Sequence, residues 1–461
     1  MDRAAGAAYS AEDAPIDGLS VGALVAGCLL YVPTHRRCLA AIESYAGECL
    51  ALERERGEEI PFLVIESFPA GWIAEHAALL RRLSAECSVT AYHLVPEGRA
   101  EYVRAVVEAA VTESADRERL VRLLVSERVS YGAGPNLAAL AAAALGARVL
   151  LRRDSDTLPM RFDGVPSYPG ELELRALQEP QVFFVASTCV GDPPLDRRDL
   201  LAAGAEFIRR IERTVKPQLS DQEIDELVHD YLVAEPTRSY FDDFVTADRA
   251  GSVEMGVSGV RDVFRAVPEM PLTETLGSDF MQRNLLLAVR FPVLFHSRKV
   301  RHSYDEARRE RLDPSAAVGY TLQDLRYLLF WRIWADQAEQ IAARPRDFWR
   351  PPEAPDAWLL AESAARAVSR QAPHLRVVVE EFAAAHLEAA DAMAADGAVA
   401  ARLRMTGRAA LAGADRHIAE VTRGFADYCF LLRHWTALIT AASQSAELLG
   451  TLAMVKENPT V

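Results

Sequence analysis

Two aspartates separated by a single residue, Asp154 and Asp156, directly follow an apolar run at 149–151 and two arginines. A buried strand that ends in two like charges needs something to offset their repulsion. A hard divalent cation takes oxygen ligands, and Mg²⁺ prefers one or two carboxylates together with phosphate oxygens and water. The spacing therefore predicts a site for a divalent ion and a diphosphate. The alternative is a solvated acidic turn in which Asp156 caps the next segment.

Strands and helices, which would position these aspartates, alternate along the first part of the chain. Ligands of open α/β sheets bind at the carboxyl ends of the strands, which is where both aspartates would lie. Strands alternating with helices imply parallel pairing with right-handed crossovers, a doubly wound, mostly parallel α/β layer. The predicted strands are 28–34, 60–67, 89–94, 147–153 and 180–188, and the predicted helices are 36–56, 71–86, 99–112, 117–126 and 136–146.

The carboxyl-terminal third has a helical period and no convincing strand from about residue 311 onward. Its long apolar stretch at 430–454 needs cover from other helices or from a second subunit, so a homodimer through these helices is expected. The predicted helices are 322–343, 357–371, 377–395 and 428–455. We therefore predict a flexible tail at 1–22, an α/β domain at 23–310 and an all-α domain at 311–461.

The composition limits the classes of partner. A net charge of −15 argues against nucleic-acid binding, which needs clustered Lys and Arg. The six cysteines show neither a C-x-x-C pair nor zinc spacing, which is typical of free thiols in a reducing cytosol. The apolar run at 21–32 is too short to span a bilayer and follows an acidic segment. We expect a cytoplasmic protein that binds neither nucleic acid nor membrane.

Four stretches, in order, resemble the GT-A glycosyltransferases, the nucleotide-diphospho-sugar transferase fold, with a family-2-like D-x-D motif. The resemblance covers roughly residues 25–305 and implies a GT-A domain with a nucleotide-diphosphate-sugar donor. In this family a Mn²⁺ or Mg²⁺ ion joins the donor diphosphate to the D-x-D carboxylates, here Asp154 and Asp156, and draws charge from the leaving group. The four stretches are LLYVPTHRR at 29–37, FLVIES at 62–67, YGAGPNLAALAAAALGARVLLRRDSD at 131–156 and the segment 256–286.

The resemblance also implies residues that hold the donor. The loop after the first strand lies beneath the nucleotide, and the acid that ends the second strand often contacts the base or ribose. Arg152 and Arg153, which are unusual before the aspartates, would lie against a donor phosphate or form a salt bridge to nearby carboxylates. The predicted donor-binding residues are Pro33, Thr34, Glu66, Asn136, Arg153 and Asp154.

The acceptor side of the resemblance lies in the fourth stretch, where Glu274 and Asp279 flank a Gly-Ser turn. Asp279, ahead of Glu274, would take the proton of the attacking hydroxyl. The alternative is that Ser278 caps a helix with Asp279 in its first turn. In several metal-using members a late histidine completes the metal site, and His302, with His296 in reserve, is the candidate here. An imidazole suits Mn²⁺ better than Mg²⁺, and a surface or hydrogen-bonded histidine is the alternative.

These features predict a metal-dependent glycosyltransferase that moves a sugar to a small-molecule acceptor. The Ala- and Arg-rich composition is typical of a high-GC bacterium and suggests secondary metabolism. The alternatives are a sugar-1-phosphate nucleotidyltransferase of the same fold, a non-catalytic GT-A-like binding or scaffold protein, and a hydrolase of the donor or another phosphoester. A phosphatase of the haloacid-dehalogenase type is disfavoured because Thr157 comes one position too early for D-x-D-x-T.

Overall fold

The computed structural model describes most of the chain between residues 27 and 455. The described ranges are 27–191, 203–215, 245–247, 253–302, 314–350, 354–393 and 397–455, with a few positions between 220 and 228. The tail predicted at 1–22 and the domain boundary predicted between 310 and 311 lie outside these ranges, and the boundary stays a prediction.

Alternating apolar runs form a central sheet and a smaller second sheet. The central sheet has eight strands in the order β3-β2-β1-β4-β10-β7-β11-β9, and the second has four in the order β6-β5-β12-β8. The strands are β1 (Cys28–Thr34), β2 (Phe62–Glu66), β3 (Ala91–Leu94), β4 (Val149–Arg153), β5 (Thr157–Phe162), β6 (Val165–Ser167), β7 (Phe184–Ser187), β8 (Cys189–Gly191), β9 (Val245–Ala247), β10 (Glu254–Arg261), β11 (Val293–His296) and β12 (Val300–His302).

Helices connect the strands and make up the carboxyl-terminal region. Short 3₁₀ turns occur at Val263–Arg265 and Ala372–His374. The α-helices are α1 (Leu39–Arg56), α2 (Ile73–Cys87), α3 (Pro96–Ala110), α4 (Ser114–Leu124), α5 (Ala133–Ala144), α6 (Gly170–Ala176), α7 (Ala205–Val215), α8 (Met281–Ala288), α9 (Pro314–Ala343), α10 (Pro345–Phe348), α11 (Ala357–Gln371), α12 (Leu375–Ala392), α13 (Ala398–Ala412), α14 (Ala414–Ala442) and α15 (Ala446–Ala453). The predicted α/β class and the helical carboxyl-terminal region are confirmed.

The central strands are apolar at consecutive positions because helices cover both faces of the sheet. Leu29 and Leu63 point into one core with α3, α5 and α14, whereas Leu30 and Val64 point into the opposite core with α1, α2 and α6. The same alternation runs through β4, where Leu150 lies in the first core and Leu151 in the second. The two arginines that follow therefore leave β4 on opposite faces.

The direction of the strands brings the ends of β4 and β10 together. Strands β1, β2, β3 and β4 are parallel, so their carboxyl ends share one edge. Strand β10 runs antiparallel to β4, with Val257 opposite Arg153, so its amino end reaches that same edge. The sequence did not predict β10, because its glycines and serine lower the strand propensity. Both glycines are packed closely: a Cβ on Gly259 would lie 3.0 Å from Leu177.

The amino end of α8 is not capped by Ser278, the alternative given in the sequence analysis. Ser278 turns its hydroxyl to the carbonyl oxygen of Thr275 and does not cap the helix. The Glu269 carboxylate instead accepts the backbone N–H of Met281 at 2.7 Å, and the helix begins two residues after Asp279. Asn136 fastens this loop to α5 by a reciprocal pair of 2.8 Å hydrogen bonds with the Glu269 backbone.

The carboxyl-terminal helices pack into the same core as the sheet. Trp435 on α14 is fully buried, and its indole N–H donates to the carbonyl oxygen of Phe264 at 2.9 Å. The cover that this apolar helix needs therefore comes from its own chain, while a homodimer stays a prediction. The single helix predicted at 428–455 is instead α14 and α15, because the Ser443 and Ser445 hydroxyls bond back to helix carbonyls at the break.

Within the described part of the chain, none of the helices combines the length and the apolar character that a bilayer crossing demands. The six cysteines, all of them described, form no disulfide.

Candidate functional site

Asp154 begins the tight turn that joins β4 to β5, beside strand β10. Its backbone N–H donates to the carbonyl oxygen of Gly256 at 3.0 Å, and its own carbonyl oxygen accepts the N–H and the hydroxyl of Thr157. The carboxylate receives Nε–H of Arg152 at 2.9 Å, and its side chain remains 33% exposed. A Cβ on residue 256 would lie 2.6 Å from Oδ2 of Asp154, so only a glycine there leaves room for the carboxylate.

Asp156 lies beside an arginine and a histidine. The Arg36 guanidinium, from the loop after β1, donates to its Oδ2 atom. Nε2 of His302 lies 3.3 Å from the same oxygen. Strand β12 carries His302 there because it pairs antiparallel with β5, which places His302 opposite Thr157. Arg36 therefore offsets the charge of Asp156, and Arg152 offsets that of Asp154.

Asp279 faces the same region but is held by an arginine. Nη1 of Arg152 donates to its Oδ2 at 2.6 Å, and both side chains are only 6% exposed. Burial raises the pKa of Asp279 above its ordinary value, Arg152 opposes the rise, and the charge of Asp154 adds to it. Arg152 thus bridges the first D-x-D aspartate and the predicted proton acceptor.

Glu254 is a further carboxylate of this region, and the sequence analysis missed it. It begins β10, is exposed, and forms neither an ion pair nor a side-chain hydrogen bond with any described residue. Although part of Glu254 is exposed, desolvation by the surrounding residues, reinforced by the negative charges of Asp154 and Asp279, raises the pKa of its carboxyl group. The only signal in the sequence is an acid two residues before a glycine in an apolar stretch, which is too common to single out.

Arg153 lies on the other face of β4, away from the aspartates. Its guanidinium is fully buried and donates to both carboxylates of Glu48 on α1 and Glu173 on α6, at 2.6–3.1 Å. His296 joins the same cluster, with Nε2 3.4 Å from Glu173 and a pKa lowered by burial. Arg153 thus forms the salt bridge that was one of its two predicted roles. We therefore do not propose Arg153 as a donor-binding residue or His296 as a metal ligand.

Glu66 ends β2 inside a buried group with His76 and His93. The backbone N–H of Cys38 donates to Nε2 of His76 at 3.0 Å, so Nδ1 carries the proton and donates to Glu66 Oε1 at 2.6 Å. Nε2 of His93 donates to the same oxygen at 3.0 Å. Although burial raises it, these hydrogen bonds hold the pKa of Glu66 below its ordinary value.

The ligand atoms of Glu66, His76 and His93 lie within 4.8 Å of one another, a spacing that a metal ion could use. The hydrogen bonds already engage the oxygen and both facing nitrogens, so the group acts as a buried anchor. Because it holds the N–H of Cys38, it fixes the loop that carries Arg36.

The remaining predicted residues lie around this edge of the sheet. Pro33 and Thr34 end β1, and the Thr34 hydroxyl closes the following turn onto the backbone of Arg36.

Two further predicted residues have partners elsewhere. Asn136 is buried, and its side chain is hydrogen-bonded to the backbone of Glu269. Glu274 turns away from the aspartates to Arg128, at 2.6 Å, and Arg326.

A family model described as a family of unknown function (DUF6271) matches residues 26–208 and 177–449. The chain belongs to this family. The DUF6271 match includes every residue of the region described above. A comparison with curated proteins found no match.

Among solved structures, this DUF6271 member is similar to the mannosyltransferase PcManGT from Pyrobaculum calidifontis in complex with GDP-Man and Mn²⁺. The identity is 13%, the TM-score is 0.35, and the likeness covers 88% of this chain and 86% of the other.

Proposed function

We propose that the protein is a metal-dependent glycosyltransferase with a GT-A type fold, which moves a sugar from a nucleotide-diphosphate sugar to a small-molecule acceptor. The observation that carries the proposal is a set of four carboxylates at one edge of the sheet, of which one is exposed and has no described cationic partner. They belong to Asp154, Asp156, Glu254 and Asp279.

The residues at this edge fit a divalent ion by their chemistry. Asp154 and Asp156 offer carboxylate oxygens, and His302 offers an imidazole, a combination suited to Mn²⁺ and, through the oxygens, to Mg²⁺. The raised pKa of Glu254 reflects desolvation first and then negative charge that Arg152 and His302 leave uncompensated. A bound ion would supply that positive charge and stabilise the leaving diphosphate as a Lewis acid.

The residues around the ion site have their own roles in this proposal. Arg36, held by the turn at Thr34, lies close enough to Asp156 to contact a phosphate beside the same carboxylate. Cations at such positions stabilise charge that develops on a leaving phosphate. Arg152 keeps the Asp154 carboxylate in place and ties it to Asp279.

A panel of UDP-, GDP-, ADP- and dTDP-sugars, each with and without Mn²⁺, tests the proposal by thermal unfolding. A ligand that binds only the folded protein stabilises it by about 2.7 kcal/mol at a hundredfold excess over Kd. We expect one nucleotide sugar to stabilise the wild type only with Mn²⁺, and to have no effect on Asp156→Ala. If none of these sugars raises the unfolding temperature with the metal, the glycosyltransferase proposal is wrong.

Gly256→Ala tests whether the position of Asp154 matters for the ion. The new Cβ would meet the Asp154 carboxylate at 2.6 Å and displace it. We expect Mn²⁺ affinity to fall by about 10- to 100-fold, the usual cost of disturbing a group that orients a metal ligand. Electron paramagnetic resonance of free Mn²⁺ measures this binding directly.

Gly71→Ala is the matched control, because a Cβ there would meet nothing within 4 Å. Wild-type Mn²⁺ affinity in Gly256→Ala would show that Asp154 does not bind the ion.

A further inference from the structure

Glu254 differs from the other carboxylates of the site in its partners. Asp154 and Asp279 both accept hydrogen bonds from Arg152, and Asp156 accepts one from Arg36. Within the described ranges, the Glu254 side chain has no such donor. A carboxylate bound to a guanidinium is a weak base, because the hydrogen bond favours its charged form. The lone pairs of Glu254 are therefore available to the hydroxyl group of a substrate.

We propose that Glu254, and not Asp279, accepts the proton of the attacking hydroxyl. This inference rests on the proposed function and names a residue that neither the D-x-D motif nor the predicted acceptor segment contains.

The backbone around Glu254 supports this role. Glu254 lies opposite Ser187 of β7, whereas Ser258 lies opposite the preceding residue, Ala186, so β10 bulges between them. The bulge is closed by the Ser258 hydroxyl, which donates to the carbonyl oxygen of Met255 at 2.9 Å. Bulges of this kind occur next to active sites, where they re-aim a side chain. Here the bulge, between Glu254 and Ser258, overlaps the start of the segment that pairs with β4, at Val257.

The charged and titratable groups that act on Glu254 come from several elements. Asp154 and Asp279 raise its pKa, and His302 and Arg152 lower it. Cys189 on β8 and Tyr327 on α9 also interact with its charge.

The step is a direct displacement. The oxygen of the acceptor hydroxyl forms a bond to the anomeric carbon as its proton passes to the Glu254 carboxylate. The bond from that carbon to the phosphate oxygen breaks, and the nucleoside diphosphate leaves with the electron pair. No oxidant, reductant or further reactant is needed.

Glu254→Gln tests the step with water as the acceptor. The probe is the nucleotide sugar that stabilises the wild type with Mn²⁺, and the readout is the release of free nucleoside diphosphate. We expect donor binding to stay within about twofold and the release rate to fall by about 10²- to 10⁴-fold, the usual contribution of a general base. Glu43→Gln, an exposed carboxylate on α1 paired with Arg82, is the control.

Two further readouts separate a base from a structural role. Azide is an anionic nucleophile that needs no proton removed, so it should restore turnover of Glu254→Gln and yield a glycosyl azide. In the wild type kcat/KM should rise with pH as Glu254 loses its proton, and this rise should be absent from Glu254→Gln.

The outcomes also separate this inference from the proposed function. If no nucleotide sugar binds the wild type, the proposed function itself fails. If the donor binds both proteins and Glu254→Gln releases the diphosphate at the wild-type rate, Glu254 is not the base. If instead only Asp279→Asn loses turnover and is rescued by azide, Asp279 is the base and this inference is wrong.

Discussion

Asp154→Asn is expected to lower Mn²⁺-dependent sugar transfer by about 100-fold or more, because a metal ion contributes several kcal/mol of charge stabilisation in the transition state. The amide keeps an oxygen for the N–H of Arg152, so the turn at the end of β4 should survive. The rate of nucleoside diphosphate release, measured against Mn²⁺ concentration, should show both a lower maximum and a higher half-saturation.

Asp163→Asn is the control for this substitution. Asp163 is exposed, lies in the turn between β5 and β6 and has a φ of 50°, a conformation that asparagine also tolerates. It should behave as the wild type. An Asp154→Asn protein with the wild-type dependence on Mn²⁺ would remove Asp154 from the metal site.

Arg153→Met is expected to lower the free energy of unfolding by about 3–5 kcal/mol, the usual cost of breaking a buried ion pair by removing one partner. The substitution leaves the carboxylates of Glu48 and Glu173 fully buried without their cation. Glu48 also accepts the backbone N–H of Gly170, so α6 should loosen with it. Chemical denaturation, followed by the change in midpoint, measures the loss.

Arg148→Met is the matched control, because Arg148 forms an exposed ion pair with Asp262. Pairs of that kind contribute about 0–1 kcal/mol. Adding Glu48→Gln and Glu173→Gln to Arg153→Met should recover part of the lost stability, because no buried charge then remains unpaired. Equal midpoints for Arg153→Met and Arg148→Met would contradict the buried network.

Much of the fold could be predicted from the sequence because it depends on local periodicity. The apolar runs of β1, β2 and β4 are buried on both faces, and only a sheet covered by helices on both sides allows such runs. The helical region after residue 314 follows from its 3.6-residue period, and α11 matches its predicted bounds of 357–371. The break between α14 and α15 was missed, since serine hydroxyls that compete for helix carbonyls leave a weak signal in the sequence.

The alternation of side chains between the two faces of a strand also follows from the sequence. Consecutive residues of a strand point to opposite faces, so Arg152 and Arg153 had to separate. The sequence does not say which face holds the aspartates, and both arginines were therefore candidates for a phosphate.

The sequence by itself determined an α/β sheet with an aspartate pair at the end of a buried strand, because both features are local. Only the tertiary structure decided which charges meet. The charge of Asp154 acts on Glu254 because β10 pairs antiparallel with β4. Glu48 and Glu173 neutralise Arg153 from two different helices. Such contacts join residues far apart in the chain, and their energy depends on burial and distance, which no local pattern encodes.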